Sequence, residues 1–596
     1  MKTLAPFFIL LLAAALAAEE PRKVRIIASP ETTYFTEPQL PDGRIDYRTI
    51  LNNRCAEGVT PEENVVVALF SWLAEYGEAI TYLDSISGIE RTGIRARGSG
   101  YREEVWRELG FDSPPDITTM QYGLFPFEPP QKKFNPEERQ FFPPEVIERH
   151  RQAFIQRSLN VWPEDYVATL LKHNEDGFYR AAVLEQDEKA RRSLWTERDF
   201  PYLAEGIKKT DEQTKKLIEN TRRTQYYHPI ITYSPFGAKE TAESLGHTPL
   251  PYAQSMRSSV ARFLQLRGNW DFANGNIDQA FECAFSSVRL GNTIRGGAGF
   301  HVEDLVGIVI SGIGKHQLVM YLANIDGKKN ADWILQKKKV FETQPQVPPD
   351  NSLKLVFSER LTTLSIVQEL IVRHYFLDAT DLFDNRQDND RYREMFGGWE
   401  DWSKEVNYDW NVILRRCNLF YDDYEEIILI PDYARRLRAL ERLEKHVREF
   451  RERYETEQDG TRRTGDLILS TLTPATVATE LARGRAEWLR QCTLVAFALA
   501  AYRSEHEGKN PDTLEQLVPK YLEAVPTSPF TGEALPYINR EDVCFVASTD
   551  RYKFDGSDEE VERVLAETAS GSMGVIYPEA YSWYFISQHF ILVIQK

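Results

Sequence analysis

Residues 261–292 read ARFLQLRGNWDFANGNIDQAFECAFSSVRLGN, and the spacing of their small residues decides the architecture around them. Gly268, Ala280, Ala284 and Ser287 stand where two consecutive helices cross, and Gly275 with Asn276 supplies the turn between them. Small side chains at a crossing let two backbones approach, so the larger apolar residues on either side meet the partner helix. A single helical hairpin still leaves one face of each helix open to water. Helices must therefore stack on both sides of it, and the stretch predicts a mainly α fold, an irregular helical array.

The segments on either side carry the same period. HVEDLVGIVISGIGKHQLVMYLANI, residues 301–325, has Gly307 and Ser311 four apart, a spacing that admits another backbone. Lys315, His316 and Gln317 interrupt it midway. A charge at a bilayer centre costs at least ~2.5 kcal/mol, so the segment reads as a buried helix and not as a membrane span. Upstream, Thr60, Pro61 and Glu63 give a helix-start pattern ahead of Val66, Leu69, Phe70, Leu73 and Ala74, with Gly77 as the stop. Further helical patterns cover Pro144 to Gln156, Asp165 to Lys172, Asp211 to Arg223 and Ser255 to Phe272. Residues 113–144, crowded with proline and aromatics, read as a connection wrapped on the helices. The stretch TQYYHPIITYSPFG, residues 224–237, reads as a core loop or as the lining of a ligand cleft. Tyr433, Leu437, Leu440, Leu443, Val447, Phe450 and Tyr454 form a stripe suited to an outer helix docking on its own neighbour. Cys492 to Tyr502, eleven residues that are apolar but for Thr493, is a buried core helix, too short to span a bilayer.

The pair at 261–292 resembles a tetratricopeptide helix pair, departing from it at Asp271, where that motif carries a large aromatic. The segment AYRSEHEGKNPDTLEQLVPKYLEAVPTSPFTGEALPY, residues 501–537, sets Asp512 and Glu515 at capping-box spacing, with Leu514, Leu517, Tyr521 and Leu522 as an apolar stripe. Around 490–540 the chain resembles the early globular domain of type II secretion major pseudopilins, in which a long helix ends at a similar Pro-x-x-Leu turn and passes into a Pro-Phe-x-Gly strand entry. The prepilin cleavage site and N-terminal membrane helix of those proteins are missing, so assembly into a pilus is not implied. Together with TPEENVVVALFSWL and the stretch from Trp195 to Pro229 ending RRTQYYHP, these blocks resemble a group of uncharacterised exported bacterial proteins typical of planctomycetes. The resemblance runs in scattered blocks from Asp46 to Tyr537 and implies no catalytic residue.

The first residues, MKTLAPFFILLLAAALAAEEP, give the order of a signal peptide: Lys2, an apolar run from Leu4 to Leu16, and Ala15 with Ala17 before the expected cut. The chain is thus expected to be exported, periplasmic or extracellular, with no membrane span after cleavage. Its formal net charge of −18 becomes −19 once Lys2 leaves with the leader. Such a surface repels phosphate backbones, which excludes nucleic acid and leaves a protein as the expected partner. The five cysteines, Cys55, Cys283, Cys417, Cys492 and Cys544, form no CxxC, and an odd count leaves at least one thiol free. The expected order is a signal peptide at 1–17, an extended segment at 18–59, a helical array at 60–465, and a small α+β module at 466–596. The last rests on aromatic and β-branched runs, VCFVAS at 543–548 and GVIYPEAYSWYFISQHFILVIQK at 574–596, expected to close a sheet against the Cys492 to Tyr502 helix.

Chemistry-bearing motifs are few. The chain holds no G-x-S-x-G, no G-x-x-x-x-G-K-[ST] and no H-E-x-x-H. RGGAGF at 295–300 reads as a helix-to-helix turn. His301 lies near Glu303 and Asp304, and His506 beside Glu505 and Glu507, but neither spacing sets two metal ligands on one helical face. DNRQDND, with Asp384, Asp388 and Asp390, lacks EF-hand spacing and reads as a solvated charge run. Asp422, Asp423, Glu425 and Glu426 are sequence neighbours that point in different directions on a helix, and no role follows from them. No cofactor, metal site or catalytic residue is assigned. An interaction or scaffold role through stacked helices is the expected function. One alternative is a hydrolase with a site assembled only in three dimensions, for which Tyr226, Tyr227 and His228 are candidates. The other is a component associated with secretion machinery.

Overall fold

The computed structural model describes residues 26–72, 133–160, 174–230, 244–248, 256–376, 409–454, 459–473 and 476–535, three strands beyond them, and a few single residues between. The signal peptide, the Gly77 stop and the Asp384 to Asp390 loop lie outside the described residues, as does most of Asp165 to Lys172. The described chain is mainly helical. Besides a helical segment from residue 65 to 72 and a single turn at Pro136–Arg139, its helices are α1 (Tyr47–Ala56), α2 (Pro144–Leu159), α3 (Glu175–Arg192), α4 (Pro201–Ile207), α5 (Asp211–Asn220), α6 (Arg262–Ala273) and α7 (Ile277–Gly297), then α8 (His301–Ala323), α9 (Ala331–Glu342), α10 (Asn351–Phe376), α11 (Trp410–Ile428), α12 (Tyr433–Tyr454), α13 (Gly460–Leu472) and α14 (Thr476–Glu505).

The hairpin expected at 261–292 is α6 and α7, joined at Gly275, whose φ of +86° suits glycine. α8 then packs back on α7 at backbone range. A Cβ on Gly291 would strike the Ser311 backbone nitrogen and stand 2.5 Å from the Gly307 carbonyl oxygen, and one on Gly314 would strike the Ala284 carbonyl oxygen. This pair divides the body. Cys283, Leu290 and Ile294 of α7, with Val306 and Ile310 of α8, face a first core built from residues 65–72 and α3 to α6. Phe281, Phe285 and Val288, with Leu318, Tyr321 and Leu322, face a second core shared with α9 and α14. A third core joins α1 to α10, α11, α12 and α13.

Asp271, the departure from the tetratricopeptide pattern, has a structural reason. It is fully buried and accepts from Arg267 Nε at 2.7 Å and Nη2 at 3.1 Å, while the same guanidinium reaches Asp211 of α5 at 2.6 Å. A buried ion pair that ties α6 to its neighbour replaces the aromatic contact.

Several expectations are corrected. The chain from 18 to 59 is not extended throughout, because Asp46 accepts from Thr49 N and caps α1. The helix expected to start at Thr60 starts at residue 65, since residues 63–65 pair with Gln225 as a short parallel bridge and Asn64 Oδ1 accepts from Val66 N. The Asp512 and Glu515 capping box does not form; Gln516 Oε1 accepts from Asp512 N at 2.9 Å ahead of a single 3-10 turn, Leu514–Leu517. Position 466 is no packing boundary, because α14 carries Cys492 to Tyr502 into the second core beside α7, α8 and α9, where Leu514, Leu517 and Leu535 join it. Three short strands, β1 (Tyr537–Asn539), β2 (Val543–Ala547) and β3 (Ile591–Gln595), pair antiparallel in that order. Residues 548–590, which would complete the expected α+β module, lie outside the described ones.

Two expectations about helix faces hold. Leu440, Leu443 and Phe450 of α12 are buried against this chain's own helices. α8 is long and apolar enough to cross a membrane, yet 67% of its most apolar window is buried inside the protein.

The α7–α8 seam gives a paired expectation. Gly291→Ala should lower stability by about 1–3 kcal/mol through overpacking. Gly312→Ala, one helical face away with its nearest neighbour 4.0 Å off, should be neutral or stabilising by up to about 1 kcal/mol from helix propensity. Urea melts of both variants check the contrast.

Candidate functional site

Ionisable residues gather at the head of α8, between the first and third cores. The link into it needs glycine at 297, where a Cβ would strike the Tyr226 carbonyl oxygen. RGGAGF is thus a tight link between the last turn of α7 and α8. At the start of α8 the orphan backbone donors find carboxylates, as the positive end of a helix dipole favours. Glu303 accepts from Gly299 N at 2.7 Å, Phe300 N at 3.2 Å and Tyr226 Oη at 2.7 Å. Asp304, fully buried, accepts from Arg295 Nε and Arg483 Nε, each at 2.9 Å, and Arg483 Nη1 also donates to Ser352 Oγ at 2.8 Å. Glu359 of α10 accepts the backbone N–H of His301.

Burial is the largest influence on each group, and the neighbours decide the outcome. Burial would raise Asp304, but Arg483 and Arg295 outweigh it and hold the carboxyl below its ordinary range. Glu303 stays raised despite its donors, and burial pushes Glu359 up to about 7. Burial, then Arg483, brings His301 down to about 3. Its imidazole is 4% exposed, and neither ring nitrogen has a hydrogen-bond partner among the described residues.

Three sequence neighbours, His301, Glu303 and Asp304, thus serve three separate contacts. Tyr226, Ser352, Glu359 and Arg483, which complete the cluster, come from up to 182 residues away. No local pattern in the sequence marks them.

A second constellation lies further along α8. Lys315 Nζ stands 3.4 Å from Ser311 Oγ, and burial, reinforced by Arg295, brings the amine down to about 7. A serine beside a neutral lysine is a nucleophile–base pair in chemical type. Here it cannot act as one. Ser311 is fully buried, its hydroxyl donates to Ile308 O at 3.2 Å, and its backbone is closed against Gly291. No room is left for a substrate carbonyl.

The other candidates resolve into structure. Tyr227 Oη donates to Asn52 Oδ1 at 3.2 Å, and Asn52 brackets Ile230 through its N–H at 2.7 Å and its carbonyl at 2.9 Å. The described part of the aromatic segment, 224–230, is therefore lashed to α1 as a core loop. His228, brought down to about 4 by burial, has its ring 6.4 Å from that of Phe70. His506 stacks on Tyr502 at 3.8 Å, and Glu505 bonds Lys520 and Tyr521. Asp422 and Glu425 do converge, both on Arg360, at 2.8 and 3.2 Å, while Asp423 and Glu426 are exposed. Cys55, Cys283, Cys417 and Cys492 are free thiols; burial pushes Cys55 and Cys417 up to about 12, so neither offers a thiolate. Among the described residues no group of three or more His, Cys, Asp or Glu is placed to hold a metal.

No family model, curated protein or solved structure matches this chain.

The buried bases give two expectations. His228, His301 and His316, the last also brought down to about 4, are held neutral in the fold. Below pH 6.5 the unfolded chain binds protons that the folded chain refuses, so their stabilisation is lost as pH falls towards 4. Glu359, raised to about 7, takes up its proton in the fold between pH 7 and 4.5 and offsets one histidine there. His301→Gln should flatten the stability–pH slope between pH 6 and 4 by about 1.4 kcal/mol per pH unit, read from urea melts across that range. Lys315→Met should raise stability at pH 7 by about 1–4 kcal/mol, because it removes an amine that burial brings down to about 7 and whose charged form the seam disfavours; a lower melting temperature would contradict the seam reading.

Proposed function

We propose that this is an exported protein, periplasmic or extracellular, with an interaction or scaffold role carried by the surfaces of its stacked helices. The observation that supports the reading is the fate of the ionisable groups. Glu303 is saturated by three donors and Asp304 by two arginines, and the Ser311–Lys315 pair is sealed in a helix seam. A catalytic site needs a nucleophile or base facing a space where a reacting atom can sit. Groups consumed by intramolecular bonds supply stability instead, and leave recognition to the outer faces of the helices. The acidic net charge supports a protein partner over nucleic acid, and the N-terminal leader pattern supports export.

A hydrolase with a site assembled in three dimensions is the second reading. It has one observation in its favour: the His301 imidazole is buried with both nitrogens unpartnered.

Immobilised chain lacking residues 1–17 should retain a specific protein from native envelope extracts, and that protein, purified, should bind again in isolation. Retention of nothing above bead background would sink the interaction reading. Turnover of ester or peptide substrates that disappears in His301→Gln would replace it with the hydrolase.

A further inference from the structure

The chain from Ile27 to Phe35 lies across α10 and α11 as a strap. Ile27 N donates to Asn411 Oδ1 at 2.9 Å, a bond between residues 384 apart in sequence. Two helical turns on, the same side of α11 presents Asn418, whose Nδ2 donates to the carbonyls of Glu31 at 3.1 Å and Thr32 at 2.9 Å. From α1, Tyr47 Oη donates to Thr33 O at 2.7 Å. All four bonds go to the main chain of the strap. Among its side chains, Tyr34 lies over the Arg360 guanidinium at 4.3 Å, and both Tyr34 and Phe35 meet the Phe357 ring edge-on.

Three features set this strap apart from a fixed piece of the third core. It holds its own shape, since Thr33 N donates to Ser29 O at 2.9 Å and Ser29 N to Thr32 Oγ1 at 3.1 Å, and so it moves as a unit. It is strained: Tyr34 has a φ of +62°, in the left-handed region that bulky side chains rarely adopt. It also leaves the groove beneath it incompletely satisfied. Asn418 is 4% exposed and Arg360 1% exposed, yet Asn418 Oδ1 and Arg360 Nε have no hydrogen-bond partner among the described residues. Buried polar atoms are costly to leave unpaired. The groove thus offers one acceptor and one donor more than the strap uses. Release requires only a pivot at the exposed residues 36 and 37; beyond them Pro38 O accepts from Asp46 N at 2.9 Å and stays with α1.

We infer that the groove between α10 and α11 is a peptide-binding site which residues 27–35 occupy in cis, and that a partner segment of the same chemistry displaces them: two small hydroxyl residues followed by two aromatics, as in Thr32 to Phe35. The proposal rests on the interaction reading and gives it a place, a partner chemistry and an autoinhibitory contact. Asn411 and Asn418 bind main chain, which supplies affinity without reading sequence. Specificity comes from the other end of the groove, where the Arg360 guanidinium and the Phe357 ring suit an aromatic pair. Asp422 and Glu425 pair with Arg360 at 2.8 and 3.2 Å, and so turn away a carboxylate at this end. The strap has the advantage of its tether. A partner segment that also brings a donor to Asn418 Oδ1 and an acceptor to Arg360 Nε offsets that advantage.

The test uses the chain lacking residues 1–17 and a fluorescent peptide of the strap sequence, IIASPETTYFT from residues 26–36, followed by anisotropy. Variants on the two sides of the contact should move its affinity in opposite directions. Tyr34→Ala/Phe35→Ala loosens the strap and spares the groove, so the peptide should bind at least tenfold more tightly than it does to the parent. Adding Asn411→Ala/Asn418→Ala to that variant damages the groove and should abolish the gain. A peptide with both aromatics replaced by Ala should not bind. Unchanged hydrogen exchange across residues 262–323 reports that each variant keeps its folded body; where the paired strap variant loses that protection, Phe35→Ala alone takes its place. No binding to the loosened chain at millimolar peptide, or equal affinity for all the chains, would overturn the proposal, because a merely structural strap leaves no site behind when it is weakened. Envelope capture separates the two readings. A protein retained equally by parent, strap and groove variants, with no peptide binding, removes the groove and keeps the interaction role; opposite shifts of peptide affinity with no protein retained support the groove and remove the envelope partner.

Discussion

Two helix backbones touch at the centre of this protein, and most of its packing follows from that. Where Gly291 of α7 meets Gly307 and Ser311 of α8, and Gly314 meets Ala284, there is no room for a single added methyl. So close an approach makes α7 and α8 one rigid partition, with large side chains displaced to its two outer sides. Phe281, Phe285 and Tyr321 fill the second core, and Leu290, Ile294 and Ile310 fill the first. α6 joins at the same partition through Gly268, where a Cβ would meet Tyr321 Oη at 2.6 Å.

Around this dry seam, buried polar groups decide how the outer layers attach. Asn269 donates to the carbonyls of Ala190 and Arg191, closing the end of α3, and its own carbonyl accepts from Tyr321 Oη of α8. Asp304 joins Arg295 of α7 to Arg483 of α14, and Glu444 of α12 accepts from Val477 N in the first turn of α14. Breaking one partner of such a pair leaves a buried charge uncompensated, which costs far more than the intact pair contributes. The contacts therefore fix which helix sits where. That explains how a chain with 27% charged residues can place several of them between its first and third cores.

The parts of this arrangement legible in the sequence are those written in local spacing. The hairpin and the small-residue face of Gly307 and Ser311 follow from residues three and four apart, and so do the inward stripe of α12 and the burial of Cys492 to Tyr502. α3 was missed because its apolar residues are sparse among Glu, Lys and Arg, and the start at Thr60 was misplaced because pairing with Gln225, 161 residues from Asn64, takes over the local backbone. Glu303 illustrates the limit most clearly. Its helix position could be read, but its partner Tyr226 lies 77 residues upstream, and nothing in either neighbourhood announces the other. His301 was visible as a lone histidine; that its ring would be enclosed without a hydrogen-bond partner depends on α10 and α14, which no spacing rule connects to it.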